Sequence, residues 1–222
     1  MKSPDGQKAR SLTTQTSLMD AAEKLIAKHG IENVSIKEIV REAGQKNESA
    51  LQYHFKNLRG LIIAINIRRN EQTQEKRAEL LAELESTTVK PVLRDLCSIM
   101  VMPTYLLAKA DTKFRRHIIG FSHTIALAED SALSKVGGHG GGGESGMLTG
   151  ELLRAALPHL DEPAYRQRMD IAIRLCSVAM GNHARQKNAF KGAASELFVS
   201  QLIDALEGLL SAPVSGETKA LK

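Results

Sequence analysis

Tryptophan is absent from this 222-residue chain, and it holds only three tyrosines and five phenylalanines. A chain of this length buries enough surface for a conventional core, so that core is built mainly from Leu, Ile, Val and Ala. Cysteine is as scarce. Cys97 and Cys176 lie far apart, each within an apolar run, which excludes a disulfide scaffold. They read as buried reduced thiols, with a redox-sensing pair as the alternative. No run approaches the ~18 apolar residues of a membrane span. The opening MKSPDGQKARSLTTQTS also lacks the hydrophobic region of a secretory signal. No membrane association and a cytoplasmic location are therefore expected.

Strand patterning is missing too: nowhere do Val, Ile, Thr or aromatics alternate over a strand's length. The catalytic signatures are equally absent. There is no G-x-S-x-G, no H-E-x-x-H and no thiol–histidine neighbourhood. His117, His123 and His139 do not fall at metal-ligand spacing. No enzyme, metal or cofactor is expected.

Helical spacing fills the chain instead. Leu18, Ala22, Leu25, Ile26 and His29 share one face, and Gly30 follows as a stop. Ser35-Ile36-Lys37-Glu38 is a capping box, opening a short helix with Ile36, Ile39, Val40 and Ala43 on one stripe and Gly44 at its end. A third helix spans about Glu48 to His54 with Asn47 as cap. Asn57 caps a long helix, about Leu58 to Glu85, whose charged stretch from Arg68 to Arg77 reads as a solvated face. Five further helices are expected: Pro91 to Lys109 with Pro103 inside, Asp111 to Ala128, Leu148 to Leu157, Pro163 to Lys187 and Ala194 to Leu210. The fold class is all-α with about nine helices. A flexible basic leader (1–11) precedes a three-helix unit (12–57), a larger helical body (58–210) and a flexible tail (211–222).

The run GGHGGGGESG, residues 137–146, holds seven of the seventeen glycines. Gly138, Gly140 and Gly143 fit G-x-G-x-x-G, and Gly138 to Ser145 falls one residue short of a P-loop, with Glu144 in the lysine position. A phosphate-binding loop needs a strand before it, and the preceding residues read as helix. The run is expected to be a mobile link; a nucleotide-binding enzyme is the remote alternative.

Function is concentrated in the second and third helices, which form a helix-turn-helix candidate. Leu51 and Phe55 face inward toward Ile39 and Val40. Outward stand Ser49, Gln52 and Tyr53, with Gln45, Lys46 and Asn47 in the turn, side chains able to read base edges or hold phosphates. Residues 1 to 60 carry ten Lys or Arg against seven acids, a weak match to a nucleic-acid partner within a net charge of +5.

The string from Ser35 to Gly44, followed by Ser49-Ala50-Leu51-Gln52-Tyr53-His54-Phe55-Lys56-Asn57, resembles the tetracycline-repressor (TetR) family of bacterial transcription regulators over residues 12–66. The resemblance implies a ligand-responsive repressor, bound as a homodimer to a near-palindromic double-stranded DNA operator and released by a small-molecule effector. It makes Gln45, Asn47, Ser49 and Gln52 candidates for base readout, and Lys37, Lys46, Tyr53, His54 and Lys56 candidates for the wider DNA contact. His54 as a core residue beside Phe55 stays open. Gly44 to Tyr53 is one residue longer than the family's commonest form, so individual base contacts stay open as well. A helical adaptor binding protein instead of DNA is the alternative function. For the body, the resemblance implies an effector pocket, with Tyr105, His117, Phe121, His123, Cys176 and Met180 as candidate lining. It also implies a dimer face on the last two long helices, with Ile171, Leu175, Val178, Asn182, Phe198, Leu202 and Leu206 as candidates.

Overall fold

The computed structural model describes residues 4–136 and 142–221. Among them every regular element is helical. The α-helices are α1 (Pro4–His29), α2 (Ile36–Glu42), α3 (Ser49–Phe55), α4 (Leu58–Thr87), α5 (Leu93–Ala110), α6 (Thr112–Ala126), α7 (Ala132–Val136), α8 (Gly143–Ala156), α9 (Glu162–Arg185), α10 (Gly192–Ser211) and α11 (Gly216–Ala220). A single 3-10 turn, Ile31–Asn33, joins α1 to α2. None of these helices is long and apolar enough to cross a membrane.

Local chemistry sets the boundaries. Ser35 Oγ accepts from Glu38 N at 3.3 Å while Glu38 Oε2 accepts from Ser35 N at 2.9 Å, so the expected capping box forms. Asn57 Oδ1 accepts from Gly60 N at 2.9 Å and opens α4. Asp111 and Asp161 do the same for α6 and α9, accepting from Lys113 N and Ala164 N. Pro91 stands just before α5, which starts at Leu93. Pro103 lies inside α5, where it withholds one backbone donor.

Two cores form. The first joins Leu18, Ala22 and Ile26 of α1 to Ile39, Val40, Leu51 and Phe55, and to Leu61 and Ile65 of α4. Phe121 of α6 completes it. The unit expected to end at residue 57 is therefore sealed by a residue of the body, and α1 packs along α6. Gly120 permits this approach: a methyl there would stand 2.9 Å from Ile26 Cγ2. The second core is built from α5, α6, α8, α9 and α10, around Leu96, Val101, Tyr105, Leu153, Met169 and Leu206.

The structure adds helix where none was expected. The leader is helical from Pro4, a proline suited to a first helical position. Residues 142–146 of the supposed mobile link belong to α8 and its approach, while 137–141 lie outside the described residues. The tail carries α11, capped by Ser215. With α7 and α11, the helices number eleven among the described residues, where about nine were expected.

The charged stretch of α4 is the largest departure. Lys76 and Glu79 do pair on the surface, but Arg69 is 3 % exposed. Its Nε and Nη2 grip both oxygens of Glu23, itself 0 % exposed on α1, at 2.7 and 2.6 Å. Arg68 adds bonds to Glu23 at 2.8 Å and to Asp20 at 3.0 Å, and Lys113 of α6 reaches Asp20 at 2.7 Å. Burying Glu23 demands this: an ionised carboxylate away from water persists only when paired and hydrogen-bonded.

Candidate nucleic-acid interface and ligand cavity

The corner between α2 and α3 is made by Gly44. Gln45 N donates to Val40 O at 2.9 Å and Gly44 N to Arg41 O at 3.1 Å, the paired closure of a Schellman motif. Gly44 sits at φ +68, and a methyl on its Cα would meet nothing within 4 Å, so glycine is required here by conformation and not by space. The turn then delivers α3, whose Leu51 and Phe55 are buried against the first core. Burial of one leucine is worth about 1.5–3 kcal/mol, enough to fix which face of this seven-residue helix looks outward.

That outward face carries the candidates. Lys37, Lys46, Asn47, Ser49, Gln52, Tyr53 and Lys56 are exposed, Tyr53 at 83 %. Two differ. Gln45 is half-buried, with its Nε2 donating to Ala43 O at 3.4 Å. His54 is also half-buried, edge-on to the Tyr53 ring at 4.9 Å and 6.2 Å from Phe55. Asn47 ties the entry to α3 by accepting from Ser49 N at 3.1 Å. The helix begins at Ser49, one residue later than expected.

Lys56 holds the exit. Its φ of +67 and ψ of −47, with Asn57 N donating to Phe55 O at 2.8 Å, make a γ-turn in the strained left-handed form. The turn brings α4 so close to α3 that a methyl on Gly60 would stand 1.9 Å from Phe55 O. The exposed Arg59, in the first turn of α4, therefore sits beside the end of α3. The sequence reading missed Arg59; its place two residues after the Asn57 cap was the available signal. No acid pairs with Lys37, Lys46, Lys56 or Arg59 among the described residues, whereas Lys24 is bound to Glu42 and Arg68 to Asp20 and Glu23.

The body encloses a cavity of about 850 Å³ between α4, α5, α6, α8 and α9. Of the six candidates, His117, Phe121, Cys176 and Met180 line it. Tyr105 does not: it lies in the second core, its hydroxyl 2.9 Å from Ser195 Oγ and its ring against Phe190. His123 does not either: it is exposed on α6, although Ser122 and Thr124 on either side of it line the cavity. His117 stacks on Phe121 at 4.7 Å, with Nδ1 3.5 Å from Glu23 Oε1. That contact is no ion pair. Burial, helped by the charges of Arg69 and Arg68, pulls the imidazole down to about 3, so it is neutral at ordinary pH. Burial also pushes both cysteine thiols up to about 12. This removes the thiolate that redox sensing needs.

On the last two long helices, Ile171 and Leu175 of α9 are exposed at 46 % and 37 %, Asn182 is exposed, and Val178 and Phe198 are half-buried. Leu202 and Leu206 are corrected: both are buried in the chain's own core at 6 % and 0 %. The outward apolar residue of α10 is Leu197, 57 % exposed. α10 has apolar residues on more than one face, and packing against α5 and α9 claims the Leu202–Leu206 face.

Residues 18–65 match the family model described as bacterial regulatory proteins, tetR family. No curated protein matches the chain. Among solved structures, a protein from Rhodococcus sp. assigned to the TetR-family transcriptional regulators is similar with a TM-score of 0.56 and 16% identity, over 89% of this chain and 99% of that one. At that identity the likeness shows the fold. Salmonella enterica GusR aligns at 16% identity over 90% of this chain and 96% of its own, with a TM-score of 0.43.

Proposed function

With residues 18–65 forming the N-terminal domain of the TetR family, on a chain that has the fold of that family's regulators, we propose a ligand-responsive repressor that binds a near-palindromic operator as a homodimer. The observation that carries this reading is the outward face of α3. Ser49, Gln52 and Tyr53 stand exposed there, flanked by Lys46, Lys56 and Arg59, which have no acid partner among the described residues. Free cations bind phosphates, because each one that is neutralised by DNA releases a condensed counterion. Exposed amides and hydroxyls on a short helix discriminate base edges in the major groove.

A seven-residue helix reads few base pairs, so two copies are needed, one per half-site. The exposed Ile171, Leu175 and Leu197 support an isologous pairing through α9 and α10. The effector enters the cavity. Arg69 and His117 line it, and Arg69 is also the residue that clasps Glu23 of α1. An occupant that repositions α4 or α6 thus acts on α1 and, through the first core, on α3. The ligand then favours the conformation whose two recognition helices no longer match the groove.

A mobility-shift titration with the DNA upstream of the chain's own reading frame tests this. Wild type is expected to retard that DNA in preference to random duplex, and Gln52→Ala to lose discrimination at one base position by ~1–3 kcal/mol. Equal affinity of wild type for both duplexes contradicts the proposal.

A further inference from the structure

The walls of the cavity differ in chemistry. Toward α5, α6 and α9 they are mixed: the adaptable apolar side chains Met100, Phe121, Met169 and Met180 stand there, with Thr104, His117, Thr124 and Ser177 between them. Methionine fills irregular space and tolerates varied partners. Toward α4 the wall is a polar stripe: Asn66, Asn70, Thr73 and Arg77 recur three and four residues apart, so they share one helix face. Thr73 spends its hydroxyl on Arg69 O at 2.9 Å. The half-buried amides of Asn66 and Asn70 have no hydrogen-bond partner among the described residues.

The three arginines of the lining are not equivalent. Arg69 is neutralised by Glu23, and Arg154 pairs with Glu162. Arg77 has no carboxylate within ion-pairing distance among the described residues. Its Nη1 reaches only neutral oxygens, Gly142 O at 3.1 Å and Ser145 Oγ at 3.4 Å. Burial alone acts on it, lowering its pKa from the ordinary guanidinium value. A desolvated cation that meets only neutral oxygens is an unfavourable arrangement that an anion of the right shape relieves.

We propose that the effector is an amphipathic oxyanion, an apolar body lodged against the methionine wall with a carboxylate held by Arg77 of α4. The inference rests on the reading of this cavity as the effector site. Its chemistry is specific: the charge lies on the α4 side, the bulk on the α9 side, and neutral or cationic analogues of the same body bind more weakly.

Calorimetric titration of the purified full chain tests it, with decanoate and 1-naphthylacetate as probes, each beside its primary amide. For at least one body the acid binds about tenfold or more tightly than the amide, the scale of a charge-assisted hydrogen bond. Arg77→Gln brings the two within about threefold, and Arg77→Lys restores part of the preference. Arg77 also ties α4 to α8, so Ile173→Trp serves as a second variant: it fills the apolar end and abolishes binding of acid and amide alike. The proposal is overturned if neither acid binds, if acid and amide bind equally, if Arg77→Gln keeps the preference, or if Ile173→Trp binds as wild type. Operator binding measured on the same samples separates the two levels. Intact operator binding with no acid preference overturns the ligand class alone; no operator binding by wild type overturns the regulator reading beneath it.

Discussion

The start and the middle of α4 carry the same residue type into opposite circumstances. At its start, Arg59 is exposed and has no acid partner among the described residues, one turn beyond the strained exit of α3. In its middle, Arg69 is buried with both oxygens of Glu23 in its grip, and Arg77 is desolvated beside neutral oxygens. An unpaired surface cation costs the fold almost nothing and is available to phosphate. A buried pair is costly to break, because removing one partner strands the other charge. One helix thus offers an unpaired surface cation at one end and a structural clamp further along.

The sharpest way to break this contrast is Glu23→Ala, which leaves the buried Arg69 with only the longer contact to Asp111, at 3.6 Å. It is expected to lose about 3–5 kcal/mol, read as the shift in a denaturant midpoint. A loss below about 1 kcal/mol would put the clamp on the same footing as a surface pair.

A smaller effect comes from acid. His117 is held neutral in the fold, down to about 3, while the unfolded chain's imidazole protonates below about pH 6.5. The unfolded state therefore binds the extra proton, and stability is full above that value and declines as pH falls. Between pH 7 and 5 the loss from His117 is roughly 2 kcal/mol. His183, also lowered by burial, adds in the same direction. The carboxylates lowered in the fold, Glu38, Glu42 and Asp170, act only at more acid pH. His117→Phe keeps the stack on Phe121 and should flatten the pH 7 to 5 decline to the part left by His183. An unchanged slope would mean that the ring is already charged in the fold.

Smaller again is Ser35→Ala. It removes the side-chain half of the α2 cap and should cost about 1 kcal/mol in a thermal melt, with DNA affinity falling only as far as stability does. A loss of DNA binding without loss of stability would make Ser35 a contact residue.

The same contrast explains what could be read from the sequence. Ser35, Gly44, Asn57, Leu51 and Phe55 act through rules of three and four residues, so their roles in the helix-turn-helix corner are legible from the sequence alone. The clamp is not. Glu23 and Arg69 lie 46 residues apart, and a run of arginines and glutamates on a helix looks alike whether it faces water or a carboxylate. Close approach is equally hidden: Gly60, Gly120 and Gly181 each stand where a methyl would collide with a neighbouring helix or turn. The body's surfaces are half legible. Helix periodicity marks apolar faces on α9 and α10, but only packing shows that Leu202 and Leu206 are inside and Leu197 outside. Tyr105 and His123 failed as cavity residues for the same reason, since position along a helix does not say which neighbour takes each face.

The central claim is that the free cations around α3 form a DNA-docking edge. It is tested most directly by the salt dependence of binding to the upstream duplex, for wild type and for Lys56→Ala/Arg59→Ala. The slope of log K against log salt should shrink by about 0.9 for each phosphate left without its cation, so by roughly 2 in the double variant, with the melting temperature unchanged. An unaltered slope in a folded double variant would contradict the assignment of these residues to the DNA backbone.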